Sequence, residues 1–275
     1  MTICIAAICE SGKAIVVAAD RMFTAPPPVT VEFETEEQKV EELAPASVAL
    51  VSGNSASGTQ VVEATKRRLG GKQSPTVAEV SEFVREEYSS FRARQAEETI
   101  VTAALGSDFA VFRAKGGTLP AYLQPQPQIY QQLVMATNQL NISLDIIVAG
   151  IDGSGAHISR VTHPGVLYWL DKLGYDAIGS GGIHAVTRLS LSAQTRLRNL
   201  VETLYAVYDA KKASEVAPGV GKATDIALVE LGTGVWRCTQ TLTDTLEEVH
   251  GSTSKKSSPD FGKLGKVYNE QRNAS

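Results

Sequence analysis

Cysteine is scarce in this chain, and its three copies do not pair: Cys4, Cys9 and Cys238 are an odd count without CxxC spacing. Cys4 and Cys9 sit inside apolar runs, so they read as small core residues in a reducing compartment. An excess of one charge is missing too. Lys and Arg number 26 against 30 Asp and Glu, a net charge of −4, which favours neither nucleic acid nor an anionic membrane as the main partner. No uninterrupted apolar stretch approaches the roughly 20 residues that span a bilayer. The first apolar run is broken by Glu10 and Lys13 and has no basic leader, so it does not read as a signal peptide, and a soluble, cytoplasmic protein is expected. Two glycosylation sequons, Asn141-Ile-Ser143 and Asn273-Ala-Ser275, carry no weight without a secretion route.

Histidine is equally sparse. His157, His163, His184 and His250 form no ligand pair at helical spacing, so each reads as a surface or turn residue, no metal or cofactor is expected, and a Ser-His-Asp arrangement has no anchor. Gly219-Val-Gly-Lys-Ala-Thr224 lacks the earlier glycine of a phosphate loop, because residue 216 is valine. Gly179-Ser-Gly-Gly182 precedes a helix without the spacing of a dinucleotide fingerprint.

What is present begins at the first residues. Thr2-Ile-Cys-Ile-Ala-Ala-Ile-Cys9 and Ala14-Ile-Val-Val-Ala-Ala-Asp20 are apolar runs of strand length around a polar turn containing Gly12. They predict a β-hairpin buried on both faces. Removal of Met1 would leave a free amine on Thr2, beside a hydroxyl, which is the arrangement for covalent catalysis by an N-terminal threonine; the plainer reading is that Thr2 only begins a strand. Ala25-Pro-Pro-Pro28 then stiffens the connector. In the glutamate-rich stretch that follows, Glu37, Lys39 and Glu41 would share one face of an extended segment, although a solvated edge strand has the same pattern. Ser47–Gly53 is a short strand whose glycine marks a close backbone approach or a turn.

Helices are predicted over Thr59–Leu69, closed by Gly70-Gly71, and from a capping box at Thr76 and Glu79 to beyond Arg94. Residues 100–143 read poorly: a strand or a helix over Val101–Phe112, a Gln/Pro loop, and a helix over Ile129–Leu140. Leu144–Gly150, His157–Val161 and Val166–Leu170 form a meander. Helices follow from Ile183 and over Ala193–Ala213, the second with a stripe of Leu197, Leu200, Val201, Leu204, Val207 and Tyr208. Two more strands and a short helix up to His250 complete a domain over residues 1–250, and the polar tail 251–275 is expected to be disordered. Segregated runs of strands and helices predict an α+β fold rather than a doubly wound parallel sheet.

Five features recur in a fixed order: Thr2, Ala18-Ala-Asp20-Arg21, Gln38-Lys39-Val40 fourteen residues before Gly53, Val148-Ala-Gly-Ile-Asp152, and Ile178-Gly-Ser180-Gly181. In this order the chain resembles the β-type subunits of the proteasome family, including the bacterial HslV-type peptidases, over roughly residues 2–69 and 144–231. The resemblance implies an N-terminal nucleophile hydrolase fold, a four-layer αββα sandwich of antiparallel sheets flanked by helices. It implies Thr2 as nucleophile, Asp20 and Lys39 as a buried pair beside it, Gly53 as an oxyanion donor and Ser180 as partner of the Thr2 amine. Val51 and Ser55, with Glu37 and Glu41 flanking the lysine, would line the substrate pocket, and the two glutamates would make it acidic. The implied activity is peptide-bond hydrolysis, on peptide or unfolded protein, in a self-compartmentalising homo-oligomeric ring with which an ATPase unfoldase is compatible. A silent scaffold subunit and a small-amide hydrolase are the alternatives. The chain departs from the pattern in its longer hairpin turn and connector, in an insertion near 100–143, and after the long helix. There Ala213-Ser-Glu-Val-Ala-Pro-Gly219 offers only Ser214 or Glu215 for the supporting aspartate and serine.

Overall fold

The structure, a computed structural model, describes residues 2–24, 31–35, 39–70, 72, 74–106, 108, 110, 128–253 and 261–273. β1 (Ile3–Cys9) and β2 (Ala14–Asp20) form the hairpin expected at the start of the chain. Every residue of both strands is buried because both faces are covered. Ile3, Ile5, Ala7, Val16 and Ala18 enter one core, and Cys4, Ala6, Ile8, Val17 and Ala19 enter another. Period-two alternation therefore sorts apolar residues between two cores, not between core and solvent, which is why the sequence runs apolar without interruption.

β3 (Met22–Thr24) and β4 (Glu32–Glu34) pair as a small antiparallel ribbon, followed by β5 (Val40–Ala44), β6 (Ser47–Gly53), β7 (Leu144–Asp152), β8 (Gly155–Thr162), β9 (Val166–Trp169), β10 (Tyr175–Gly179), β11 (Thr224–Glu230) and β12 (Gly234–Arg237). Two five-stranded antiparallel sheets result, in the orders β10-β1-β2-β11-β12 and β5-β6-β7-β8-β9. Their facing sides share one core in which Ile8, Ile15 and Val17 meet Val48, Leu50, Ile147 and Ile158. The fold is thus mixed α+β with antiparallel sheets, and the meander is β7–β9.

Helices cover the outer sides. α1 (Ser55–Leu69) and α2 (Val77–Ala96) lie on the β5–β9 sheet through Val61, Val62, Val80, Val84 and Tyr88. The α2 capping box is formed: Glu79 N–H donates to Thr76 Oγ1 at 3.2 Å and Thr76 N–H to Glu79 Oε2 at 3.0 Å. α2 continues as a π-helical turn, Glu97–Thr102, and a last turn, α3 (Ala103–Leu105), so the start of the unreadable stretch is helical; α4 (Gln128–Gln139) follows. The Gln/Pro loop lies outside the described residues. α5 (Gly182–Leu191), α6 (Leu200–Ser214), α7 (Gln240–Thr253) and α8 (Phe261–Arg272) carry the apolar residues that cover the β1–β2 sheet. Among the described residues no helix is long and apolar enough to cross a membrane.

Two expectations are corrected. The long helix begins at Leu200 instead of Ala193, because Ala193 takes φ +54° and Asn199 caps the helix, accepting from Glu202 N–H at 2.8 Å. Leu197 consequently falls in a turn and is 79% exposed instead of joining the buried stripe. The tail expected to be disordered contains α8, whose Leu264 and Tyr268 are buried among the helices of the β1–β2 side. Its charged flanks hid a short apolar face that only a tertiary partner makes useful. Leu264→Ala should therefore lower stability by about 2–5 kcal/mol, the usual cost of a large-to-small core change. Urea denaturation reads this directly, and an unchanged midpoint would mean that α8 does not dock.

Candidate active site

An antiparallel hairpin brings the first residue of one strand beside the last of the other, so Thr2 and Asp20 meet at one end of the β1–β2 sheet. Lys39 immediately precedes β5 in the opposite sheet, anchored by Val40 in the shared core. Facing of the two sheets then carries its ammonium to the same point. All three side chains are buried: Thr2 is 3% exposed, Asp20 0% and Lys39 8%.

The hydrogen bonds close completely. Thr2 donates its hydroxyl proton to Asp20 Oδ1, and Lys39 Nζ donates to Thr2 Oγ1, to the Met22 carbonyl and, at 2.7 Å, to Asp20 Oδ1. Asp20 Oδ1 also accepts Ile3 N–H at 3.2 Å, and Oδ2 accepts Gly221 N–H at 2.8 Å. A lysine has three N–H donors, and all three are used here; both carboxylate oxygens of Asp20 accept, Oδ1 from three donors and Oδ2 from one. The Phe23 ring, 5.3 Å from Nζ, adds a cation–π contact. Desolvating two charges is costly unless such bonds replace water. Chemically, the arrangement presents a hydroxyl with an acceptor for its proton on one side and a cation on the other.

Other expected residues lie at the end of β6, at the start of α1 and directly after β10. Gly53, at the end of β6, has φ +107°, and a Cβ there would lie 1.9 Å from the Ser143 carbonyl oxygen, so a side chain is excluded by backbone. α1 starts two residues later with Ser55, exposed, behind the N-cap Asn54, and has no acid in its first turn; its positive end is left uncompensated by its own sequence. Gly179, at the end of β10, lets that strand approach both the start of β1 and β6: a Cβ there would be 2.1 Å from the Thr2 carbonyl oxygen and 3.0 Å from Ser52 Oγ. The Val51 carbonyl accepts Cys4 S–H at 3.4 Å, while a Cβ on Gly58 would lie 2.4 Å from Val51 Cγ1, so the Val51 side chain faces α1. Burial pushes the Cys4 thiol up to about 12, which removes it as a nucleophile. Ser180 Oγ donates to the Pro218 carbonyl at 3.0 Å and, at 3.4 Å, to the Thr2 carbonyl.

Of the two expected pocket carboxylates, Glu41 is engaged elsewhere. Glu37 lies outside the described residues. Glu41 pairs with Lys66 of α1 at 2.9 Å, on the side of β5 from which Leu43 enters the helix core. The chain bends at Lys39, ahead of β5, so the lysine and Glu41 do not keep the common face that a straight strand would give them. Ser214 and Glu215 do not reach Asp20 either: Ser214 Oγ donates to the Ala210 carbonyl at 2.8 Å, and Glu215 pairs with Lys211 at 2.6 Å.

Sequence reasoning missed the support that comes from Gly221. The signal was in the Gly219–Thr224 segment set aside as a failed phosphate loop. Its second glycine serves a close approach, since a Cβ at 221 would lie 2.6 Å from Glu34 Oε1. The dismissed Ser-His-Asp geometry also exists, at the β7–β8 turn: Ser154 Oγ is 2.7 Å from His157 Nε2, and His157 Nδ1 is 2.7 Å from Asp171 Oδ2. There, however, Asp152 Oδ1 takes both the Ser154 N–H, at 2.8 Å, and its O–H, at 2.6 Å. That leaves the serine neither its proton for the imidazole nor its N–H for an oxyanion, and the cluster is a turn that also caps α2 through Val77 N–H on Asp152.

A cleft of about 460 Å³ lies elsewhere, at the turn end of the first hairpin between Lys13, Leu200 and Tyr268, and Thr2, Asp20 and Lys39 are not among its lining residues. Among the described residues no group of three His, Cys, Asp or Glu side chains is arranged to hold a metal ion. No family model matches the chain, and no curated protein matches it.

A buried pair that loses one partner leaves an uncompensated charge. Lys39→Met should therefore destabilise the protein by about 3–5 kcal/mol, and adding Asp20→Asn should recover most of that loss. Chemical denaturation of the single and double variants checks it; equal stability of wild type and Lys39→Met would place the ammonium in solvent.

Proposed function

We propose that this chain is an N-terminal threonine amide hydrolase, a peptidase of the proteasome β-subunit type. One observation carries the reading: the Thr2 hydroxyl lies between a buried carboxylate and a buried ammonium whose other hydrogen bonds are all satisfied. The three stacked cores, helix to sheet, sheet to sheet and sheet to helix, are what a four-layer αββα sandwich requires, and in that architecture the nucleophile begins a central strand.

The reaction needs whatever precedes Thr2 to be cleaved, which frees an α-amine with an unperturbed pKa of roughly 7.7–8.0. A threonine hydroxyl is a weak nucleophile until a base takes its proton. The freed amine is that base, once the hydroxyl turns its proton from Asp20 toward it, and the Lys39 charge, tied to Asp20, favours the developing alkoxide. Oγ1 attacks the substrate carbonyl carbon, the C–O bond forms, and the carbonyl electron pair moves to oxygen. Gly53 N–H at the mouth of α1 donates to that oxyanion, an interaction typically worth about 2.7–4 kcal/mol. The tetrahedral intermediate breaks its C–N bond and expels the substrate's amine, which takes the proton held by the Thr2 α-amine, and water hydrolyses the resulting ester. Peptides or unfolded proteins are the proposed substrates, in a homo-oligomer that encloses the Thr2 sites. The acidic pocket is not part of this proposal, because Glu41 is engaged by Lys66.

A second reading, a silent subunit of the same architecture, is favoured by the burial of Thr2 and by the hydrogen bond of Ser180 to Pro218. Intact mass after treatment with a threonine-directed electrophile separates the two. A single adduct on Thr2, with peptide hydrolysis lost in Thr2→Ala, is the expected result; absence of any adduct would leave the silent subunit. Lys39→Arg should lose most of the hydrolysis despite retaining charge, because a guanidinium cannot reproduce three converging bonds from one nitrogen.

A further inference from the structure

Lys211, in the last turn of α6, is 0% exposed, and no step of the proposed reaction uses it. Its ammonium donates to Glu215 Oε1 at 2.6 Å and to the Lys222 carbonyl at 2.7 Å. Burial lowers its pKa, a pull that the hydrogen bond to Glu215 opposes. The peptide unit that offers the Lys222 carbonyl also carries Ala223 N–H, which donates to Glu34 Oε1 at 3.0 Å; Lys222 N–H donates to the same oxygen at 2.6 Å. One peptide dipole is therefore held with a cation at its oxygen end and an anion at its hydrogen end, the orientation that both charges favour. Directly before this peptide comes Gly221, whose N–H donates to Asp20 Oδ2 at 2.8 Å. The absence of a side chain at 221 lets Glu34 close on the loop, since a Cβ there would sit 2.6 Å from its carboxylate oxygen.

We propose that Lys211 and Glu34 clamp the Lys222–Ala223 peptide so that Gly221 N–H is held on Asp20, making both of them positioning residues for the Thr2 nucleophile. The proposal rests on the reading of Thr2 as nucleophile and names what replaces the supporting aspartate and serine that the chain lacks after its long helix. Neither residue touches Thr2. Lys211 acts through a carbonyl and Glu34 through two amides, and their effects meet at a single N–H on the carboxylate that also accepts the threonine proton and the Lys39 ammonium. A buried lysine with only a structural role would change stability and leave Thr2 reactivity in the folded protein unaltered.

The test follows acylation of Thr2 by a β-lactone, read by intact mass, in the full wild-type chain and in Lys211→Met and Glu34→Ala, with thermal melting alongside. Methionine keeps most of the lysine stem without its charge, and Glu34 is exposed, so its variant keeps the fold if Lys211→Met does not. Both variants should be acylated at saturation at least about tenfold more slowly, the scale of one hydrogen bond to a charged group. The lactone concentration for half-saturation should stay within about twofold, because uniform binding is untouched. Acylation of folded Glu34→Ala at the wild-type rate overturns the clamp, whatever happens to Lys211→Met. Normal wild-type acylation with unaffected variants overturns the clamp alone; a wild-type chain that takes no adduct on Thr2 overturns it together with the reading beneath it.

Discussion

The contact between Lys39 and Asp20 is the constraint to which the site is fitted. It joins the two sheets at one end by charge, where their shared core joins them elsewhere by apolar contact. In a low-dielectric interior an ion pair is strongly attractive, but each ion also demands that every polar atom be satisfied. Five segments meet that demand: the start of β1, the end of β2, the Met22 carbonyl, the bend before β5 and the loop at Gly221. None of them can drift without stranding a buried donor or acceptor. Residues far apart in sequence are therefore fixed relative to one another more tightly than packing alone would hold them.

Close approach is the second constraint, and it falls on backbone. At Gly53 and Gly179 positive φ coincides with a facing carbonyl, Ser143 in one case and Thr2 in the other. Any side chain would push apart the strands whose ends define the site. The same economy of space appears at Gly221, where the room left by a missing side chain is filled by the Glu34 carboxylate. Three glycines thus bring chain segments together at distances that side-chain packing cannot reach.

Local chemistry was legible in the residues themselves, whereas the long-range pairing of Asp20 and Lys39 beside Thr2 was expected only from the family resemblance. The hairpin, the α2 capping box and the meander follow from apolar period, cap residues and turn residues, all of which act within a few positions. Lys39 could be singled out only through the family resemblance, which its step to Gly53 supported, and its strand face could not, because the bend before Val40 depends on the partner that the ammonium finds. The start of α6 was misread since Leu197 continues the apolar stripe, while the Ala193 backbone and the Asn199 cap end it. α8 was hidden because Leu264 and Tyr268 are too few to announce a helix until other helices cover them. The Gly221 loop was weighed only as a phosphate cradle, whereas its amides serve carboxylates of the chain itself.

The hairpin that opens the chain also sets the order in which the molecule can be finished. β1 and β2 are flanked by β10 and β11, contributed by residues 175–179 and 224–230. The hairpin leaves the ribosome well before either of its neighbours. At roughly 5–20 residues per second, the second flank arrives on the order of 10–40 s after Asp20. Until β10 emerges both hairpin edges lie open, and until β11 emerges one of them still does, the condition under which strands join the wrong chain. Biogenesis of this protein is thus a problem of guarding unpaired edges, and the β1–β2 sheet can close only after residues 224–230 have been made.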